Sequence, residues 1–181
     1  MNFGIMKSKI VELIENQTAL QKHIKTSNEL GIDSLVNKYS TAIFVECGEA
    51  IQETDFKWWK AVTIDINKLK EELADIFIFA LDFSMLVNEK KEITDLLENT
   101  WVRVESNNEI EYTTMINRLK VIGSLKYAST FRKNYGLFVM RAVLDIVVLY
   151  GYMDFIGVVT SKQTKNIDRQ ENGYNRKTIL I

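Results

Sequence analysis

The chain has 181 residues, with 23 Lys and Arg against 24 Asp and Glu and a formal net charge of −1. A chain of this length can bury about 70% of its unfolded surface in one core, so residues 1–181 are read as a single domain. The near-neutral balance excludes a global attraction to a nucleic-acid duplex or an anionic membrane, and an anionic partner must instead meet a local basic patch, which suits a small polyphosphate.

From Phe3 to about Ser27 the apolar residues Ile5, Ile10, Leu13, Ile14, Leu20 and Ile24 recur at spacings compatible with an amphipathic helix. Its polar side, Gln17, Gln21 and His23, either lines a pocket or meets water. His23, set among Gln and Lys, reads as a surface residue. The stretch SNELGID reads as a turn, with Gly31 as breaker and Asp33 or Ser34 as the next N-cap. The N-terminus MNFGIMKSKIVELIEN carries charges where a signal peptide needs its apolar run, and Cys47 is the 1 cysteine, so no intrachain disulfide forms. The cytoplasm is the expected compartment.

Two helices then carry short acidic signatures. The first, to about Glu53, holds Glu46-Cys47-Gly48-Glu49; the second, from about Ile66 to Asn88, holds Glu72-Leu73-Ala74-Asp75. On a helix, residues three apart have Cβ atoms roughly 5 to 6 Å apart. Facing helices would thus converge four carboxylates on one spot. Such pairs also arise by chance on solvated faces, and helical phase weighs between the two readings. In the second helix Leu69, Leu73, Ile76, Ala80 and Phe83 define a core stripe, Glu72 falls within its edge and Glu71 points away. In the first, Ile43, Cys47, Ala50 and Ile51 make the stripe, with Glu46 flanking it and Glu49 and Glu53 beside it. Acids at the border of a buried face need positive compensation. A hard cation such as Mg²⁺ supplies it, and a solvated or ion-paired face is the alternative.

Between these helices, TDFKWWKAVTIDINK is dense in aromatic residues and lysine. Phe56 and Trp59 can pack on the helix pair while Trp58 and Lys60 point elsewhere, a hydrophobic plug under a loop. Equally, Trp59 offers a ring for a base to lie against and Lys60 a cation for phosphate. Beyond Asn88, KKEITDLLENTWVRVES, EIEYTTMINRLKVIGSLKYASTFRKN and GLFVMRAVLDIVVLYG read as packing helices punctuated by NN or NYG. The apolar stretch FVMRAVLDIVVLYGYMDFIGVV is interrupted by Arg141, Asp145 and Asp154, which argues against a membrane span and for one or two buried helices. With 0 prolines and 8 glycines the chain suits long helices joined by short turns, and the fold class read from it is all-α. Helical through about Gln170, the last segment places Lys162, Asn166 and Arg169 on one arc. That arc is a phosphate clamp, with Arg as fork and Lys as point charge, or a basic exposed face.

In this order, E-x-x-E, an aromatic-rich W-K loop, E-x-x-D with an aromatic run, and K-x-x-x-N-x-x-R-Q-x-x-G-Y resemble the dimeric all-α dUTPases, within the MazG-like nucleoside triphosphate pyrophosphohydrolases that include phage dCTPase-dUTPases. Tyr39 to Asp82 and Lys162 to Tyr174 carry the resemblance. It implies a helical bundle with a four-helix catalytic core in which Glu46, Glu49, Glu72 and Asp75 bind Mg²⁺, or Mn²⁺ in its place, and Glu49 orients or deprotonates the attacking water. It implies phosphate and nucleotide contacts from Lys60, Lys162, Asn166, Arg169 and Tyr174, and a base and sugar pocket from Gln21, Trp59 and Phe79. The implied activity is hydrolysis of dUTP, with dUDP as a further substrate, by a homodimer that uses neither nucleic acid nor membrane. Two departures stand out: Ile78 occupies a position where the family often has His, and the tail after Tyr174 is the short NRKTILI. Three alternatives stand beside it. They are a related enzyme acting on dCTP or another nucleotide, a carboxylate di-iron bundle, which needs Glu-x-x-His pairs that the chain lacks, and a non-catalytic helical interaction protein.

Overall fold

The computed structural model describes residues 3–23, 30–88, 90–100, 112–124, 134–152 and 154–172. In chain order its helices are α1 (Phe3–His23), α2 (Ile32–Gln52), α3 (Ile66–Val87), α4 (Lys90–Thr100), α5 (Tyr112–Ser124), α6 (Tyr135–Leu149) and α7 (Phe155–Glu171), and no strand occurs among the described residues. The fold is all-α, as the sequence suggests.

α3 is the axis around which the others assemble. Its expected stripe is buried, but so are Ala74, Phe77, Ile78, Leu81, Asp82 and Ser84, so the helix is covered on nearly every side. A helix apolar over most of its circumference has to be enclosed, and α2, α6 and α7 enclose it, with α1 and α4 completing the coat. Asp65 opens α3 by accepting hydrogen bonds from the backbone N–H groups of Asn67 and Lys68 at 3.0 and 3.2 Å, satisfying donors that a helix start leaves over.

α2 begins earlier than expected. Neither Asp33 nor Ser34 caps it; Gly31 does, in an extended conformation, its carbonyl accepting from Ser34 and Leu35 at 2.9 and 3.1 Å. Asp33 lies instead in the first turn, where a negative charge meets the positive end of the helix dipole. The long apolar stretch resolves into two helices: α6 ends at Leu149, Gly151 takes a φ of 68° and α7 starts at Phe155. That left-handed geometry is open to glycine without steric cost. No helix among the described residues is long and apolar enough to cross a membrane.

α6 also begins before the expected GLFV run, because Tyr135 and Gly136 of the NYG punctuation are already helical. Gly136 is required by contact with α3: a Cβ there would run into Ser84 Oγ and lie 2.7 Å from the Ala80 carbonyl oxygen. The expected extension of the first helix to about Ser27, the NN punctuation, the ends of the two middle helices and everything beyond Asn172 lie outside the described residues.

Candidate active site

Glu46 on α2 and Glu72 and Asp75 on α3 each present a carboxylate oxygen, and the three oxygens lie within 4.8 Å of one another. The helices run antiparallel here: along α2, Tyr39 meets Phe79, Glu46 then feels the charge of Asp75, and Glu53, further along, acts on Glu72, one turn back on α3. Glu49, the fourth expected acid, is exposed and stands outside this trio, although its charge acts on all three.

Burial raises the pKa of every member. It pushes Glu46 up to about 7, with the charges of Asp75, Glu49 and Glu72 adding to the effect and Lys162 opposing it. Glu72 is raised by the same desolvation and pulled back by Lys162; Asp75 is raised too and pulled back by its hydrogen bond from Lys162. The ion-paired alternative is therefore part of the picture. Lys162 Nζ on α7 donates to Asp75 Oδ2 and lies 3.9 Å from Glu71, which is half exposed at the rim. One ammonium against three converging acids still leaves the cluster short of positive charge. Hard oxygen donors at this mutual spacing fit a divalent cation of the Mg²⁺ or Mn²⁺ kind.

Beside the trio lies a cavity of about 290 Å³. Glu46 and Asp75 line it, followed along α3 by Ile78, Phe79 and Asp82, while Leu20 and Tyr39 contribute from α1 and α2 and Asn166, Arg169 and Gln170 from α7. Asp75, Phe79 and Asp82 are spaced by four and three, one face of a helix. That face carries an acid, then a ring, then a second acid about 10 Å along the axis from the first. The rings of Phe79 and Tyr39 stand 6.4 Å apart, tilted by 41°, and offer a wall to a planar group. Arg169 Nη1 donates to Asn166 Oδ1 at 3.4 Å. The expected arc on α7 thus divides its work: Lys162 meets the acids, while Asn166 and Arg169 meet the cavity. Ile78 is buried and gives the wall an apolar side chain with no ring nitrogen.

Sequence reasoning did not find Asp82, nor the part played by Gln17 and Gln163. All three are buried. Gln17, which the sequence leaves between pocket and water, lies inside the core, where its Nε2 donates to Asp82 Oδ1 at 2.7 Å. Gln21 Nε2 donates to the same oxygen at 2.8 Å. Behind them Gln163 Nε2 donates to Gln17 Oε1 at 2.9 Å and to the Leu13 carbonyl at 3.0 Å. Burial pushes Asp82 up to about 7 against the two amide donors. Burial likewise raises Tyr39, with the nearby charge of Asp82 adding to it and a hydrogen bond with Gln21 opposing it. The available signal was one acid in the apolar run IFIFALDF, in phase with Asp75.

Trp59 and Lys60 are exposed in the α2–α3 connector, and the cavity is built without them. Rather than packing on the helix pair, the Trp59 ring is 61% exposed and meets Phe56 and Trp58 edge-on at 6.2 and 5.9 Å. Tyr174 lies outside the described residues, as does the side chain of His23. Compared with known families, the sequence matches the model of a family described as dUTPase over residues 9–174. No curated protein matches it.

Proposed function

The chain belongs to the all-α dUTPase family, hydrolases acting on nucleoside triphosphates, and from that premise we propose that it hydrolyses dUTP to dUMP and pyrophosphate with Mg²⁺ as cofactor. The observation that carries the reading is three carboxylate oxygens within 4.8 Å of one another, two of them from residues that line a cavity also lined by Asn166 and Arg169. Glu46, Glu72 and Asp75 would hold the cation, with Glu49 at their exposed edge. A divalent ion bound there screens phosphate charge and lowers the pKa of water.

The protein's own groups do the rest. Glu49 takes the proton from the attacking water; the water oxygen bonds to phosphorus as the anhydride bond between the α- and β-phosphates breaks, with no covalent intermediate. Lys162 neutralises the acids while the site is free of substrate, and on substrate binding its ammonium turns to the phosphates. There it and Arg169 balance the charge that moves onto the leaving group. Asn166 steadies the Arg169 fork. Phe79, Tyr39 and Ile78 form the wall for base and sugar. In the same reading the protein is a cytoplasmic homodimer and accepts dUDP as a smaller substrate.

Pyrophosphate release from dUTP, dCTP, dTTP, dATP, dGTP and UTP, with Mg²⁺ and with a chelator, tests the proposal. Turnover should favour dUTP and vanish with the metal. Glu49→Gln should lower it by about 100-fold or more, as removal of a general base does, with helical circular dichroism unchanged. No release from any of these nucleotides sinks the proposal, and a fully active Glu49→Gln removes Glu49 from the base role.

A further inference from the structure

Asp82 lines the cavity two turns along α3 from Asp75, and its orientation is fixed by a relay of hydrogen bonds that starts from a group with no choice. The Leu13 backbone carbonyl can only accept, so the Gln163 atom facing it at 3.0 Å is the amide nitrogen Nε2. That nitrogen also faces Gln17 at 2.9 Å, which makes the Gln17 atom there the oxygen Oε1. Gln17 must then turn its own nitrogen to Asp82 Oδ1, at 2.7 Å. Gln17 and Gln163 are both 0% exposed, which shields the relay from bulk solvent. Gln21 brings a second N–H to the same oxygen at 2.8 Å. Oδ1 is committed to these two donors. Among the described residues no hydrogen bond engages Oδ2, which is the acceptor left to the cavity.

Resting on the reading that the cavity takes a deoxynucleoside triphosphate, we infer that Asp82 is a base-selecting residue, its Oδ2 accepting a hydrogen bond from the ring N3–H of uracil. The dimensions agree. Asp75 and Asp82 are separated by about 10 Å along the helix, of the order of a nucleoside's length, and Phe79 stands between them against Tyr39. Uracil carries a proton on N3, whereas cytosine carries a lone pair there and would set acceptor against acceptor. A buried site shaped to receive an N–H discriminates strongly against a base that cannot supply it. Burial resists the charge on Asp82, while a donor arriving at Oδ2 favours the ionised form, so uracil binds the state that accepts.

The same relay makes the inference testable, because it dictates which way an amide placed there must face. In Asp82→Asn the amide oxygen stays toward the N–H groups of Gln17 and Gln21, and the NH₂ turns into the cavity. An acceptor is replaced by a donor, wrong for uracil N3–H and right for cytosine N3. With Mg²⁺, the ratio of kcat/KM for dUTP to that for dCTP should fall by about 100-fold or more between wild type and D82N. An unchanged ratio in a folded variant overturns the inference. Wild-type protein bound to α,β-imido-dUTP labelled with nitrogen-15 at N3 gives a reading independent of how the variant folds. The N3–H proton should be protected from exchange, and exchange as fast as in the free nucleotide overturns the inference. A wild type that hydrolyses dUTP but shows either contrary result loses the inference alone; one inactive on both nucleotides loses the proposed function and the inference with it.

Discussion

Glu46, pushed up to about 7 by burial and then by Asp75, Glu49 and Glu72, holds its proton through the acidic side of neutrality. A divalent cation entering the trio below pH 7 has to displace that proton; above it, the carboxylate is already ionised. Because a ligand bound only to the folded state raises stability by mass action, the rise in Tm on adding Mg²⁺ should be larger at pH 8 than at pH 6. Equal rises would remove Glu46 from the ligand set. Asp82 obeys a different linkage, since its pKa moves from 3.8 to about 7 through burial. Between those values the folded state binds the extra proton, so this contribution to stability is fully present below 3.8 and is lost as pH rises through about 7. The sign is opposite to that of a salt-bridged acid. Asp82→Asn removes the titration, and its unfolding free energy relative to wild type should grow by about 2 to 3 kcal/mol from pH 5 to pH 8 in urea titrations. A difference that stays flat with pH would mean that Asp82 is not held neutral by its surroundings.

At the scale of elements, the α3–α6 contact sets how closely the bundle packs. Gly136 admits the Ala80 carbonyl and the Ser84 hydroxyl at a distance that a methyl group would occupy. Gly136→Ala should cost about 1 to 3 kcal/mol by overpacking and lower Tm by several degrees, with the upper end expected because one clash is with backbone, which moves less readily than a side chain. Thermal unfolding followed by circular dichroism checks this, and an unchanged Tm would mean that α6 slides freely on α3. The sequence showed α3 well, because Leu69, Leu73, Ile76, Ala80 and Phe83 mark a helix whatever surrounds it. It showed the acid pairs for the same reason: a spacing of three is local. It misplaced the start of α2 because an Asp at the N-cap and an Asp in the first turn read alike, and only the backbone bonds to Gly31 separate them. Gln17 and Asp82 were illegible because their meeting is set by the packing of α1 and α7 beside α3, distant in sequence. The ring contacts of Trp59 with Phe56 and Trp58 were not legible either, because an aromatic residue in a connector says nothing about which ring it meets.

For the molecule as a whole, one patch of the apolar surface left outside the core is shared by α2, α5 and α6. Phe44 and Val45 are each 46% exposed on α2. Phe44 precedes Glu46 by two residues, roughly 200° around the helix, and its ring packs over the backbone of Gly123 in α5. From there the surface continues through Val121 on α5, 50% exposed, to Phe138 on α6, 37% exposed. Val121 and Phe138 line a groove of about 380 Å³ together with Arg118 and Asp145. A groove that carries apolar side chains and both signs of charge suits pairing with a second copy across a two-fold axis, with Asp145, already 3.9 Å from Arg141 of its own helix, open to Arg118 of the other copy, and isologous contacts of this kind build the commonest oligomer. On the reading that the protein is a homodimer, this α2–α5–α6 face is the expected interface. Sedimentation equilibrium at micromolar concentration should give twice the monomer mass for wild type. Val121→Asp, a change at an exposed position that leaves the core untouched, should give the monomer mass with unaltered helical content. A wild type that sediments as a monomer removes the dimer, and a variant that stays dimeric moves the interface to another face.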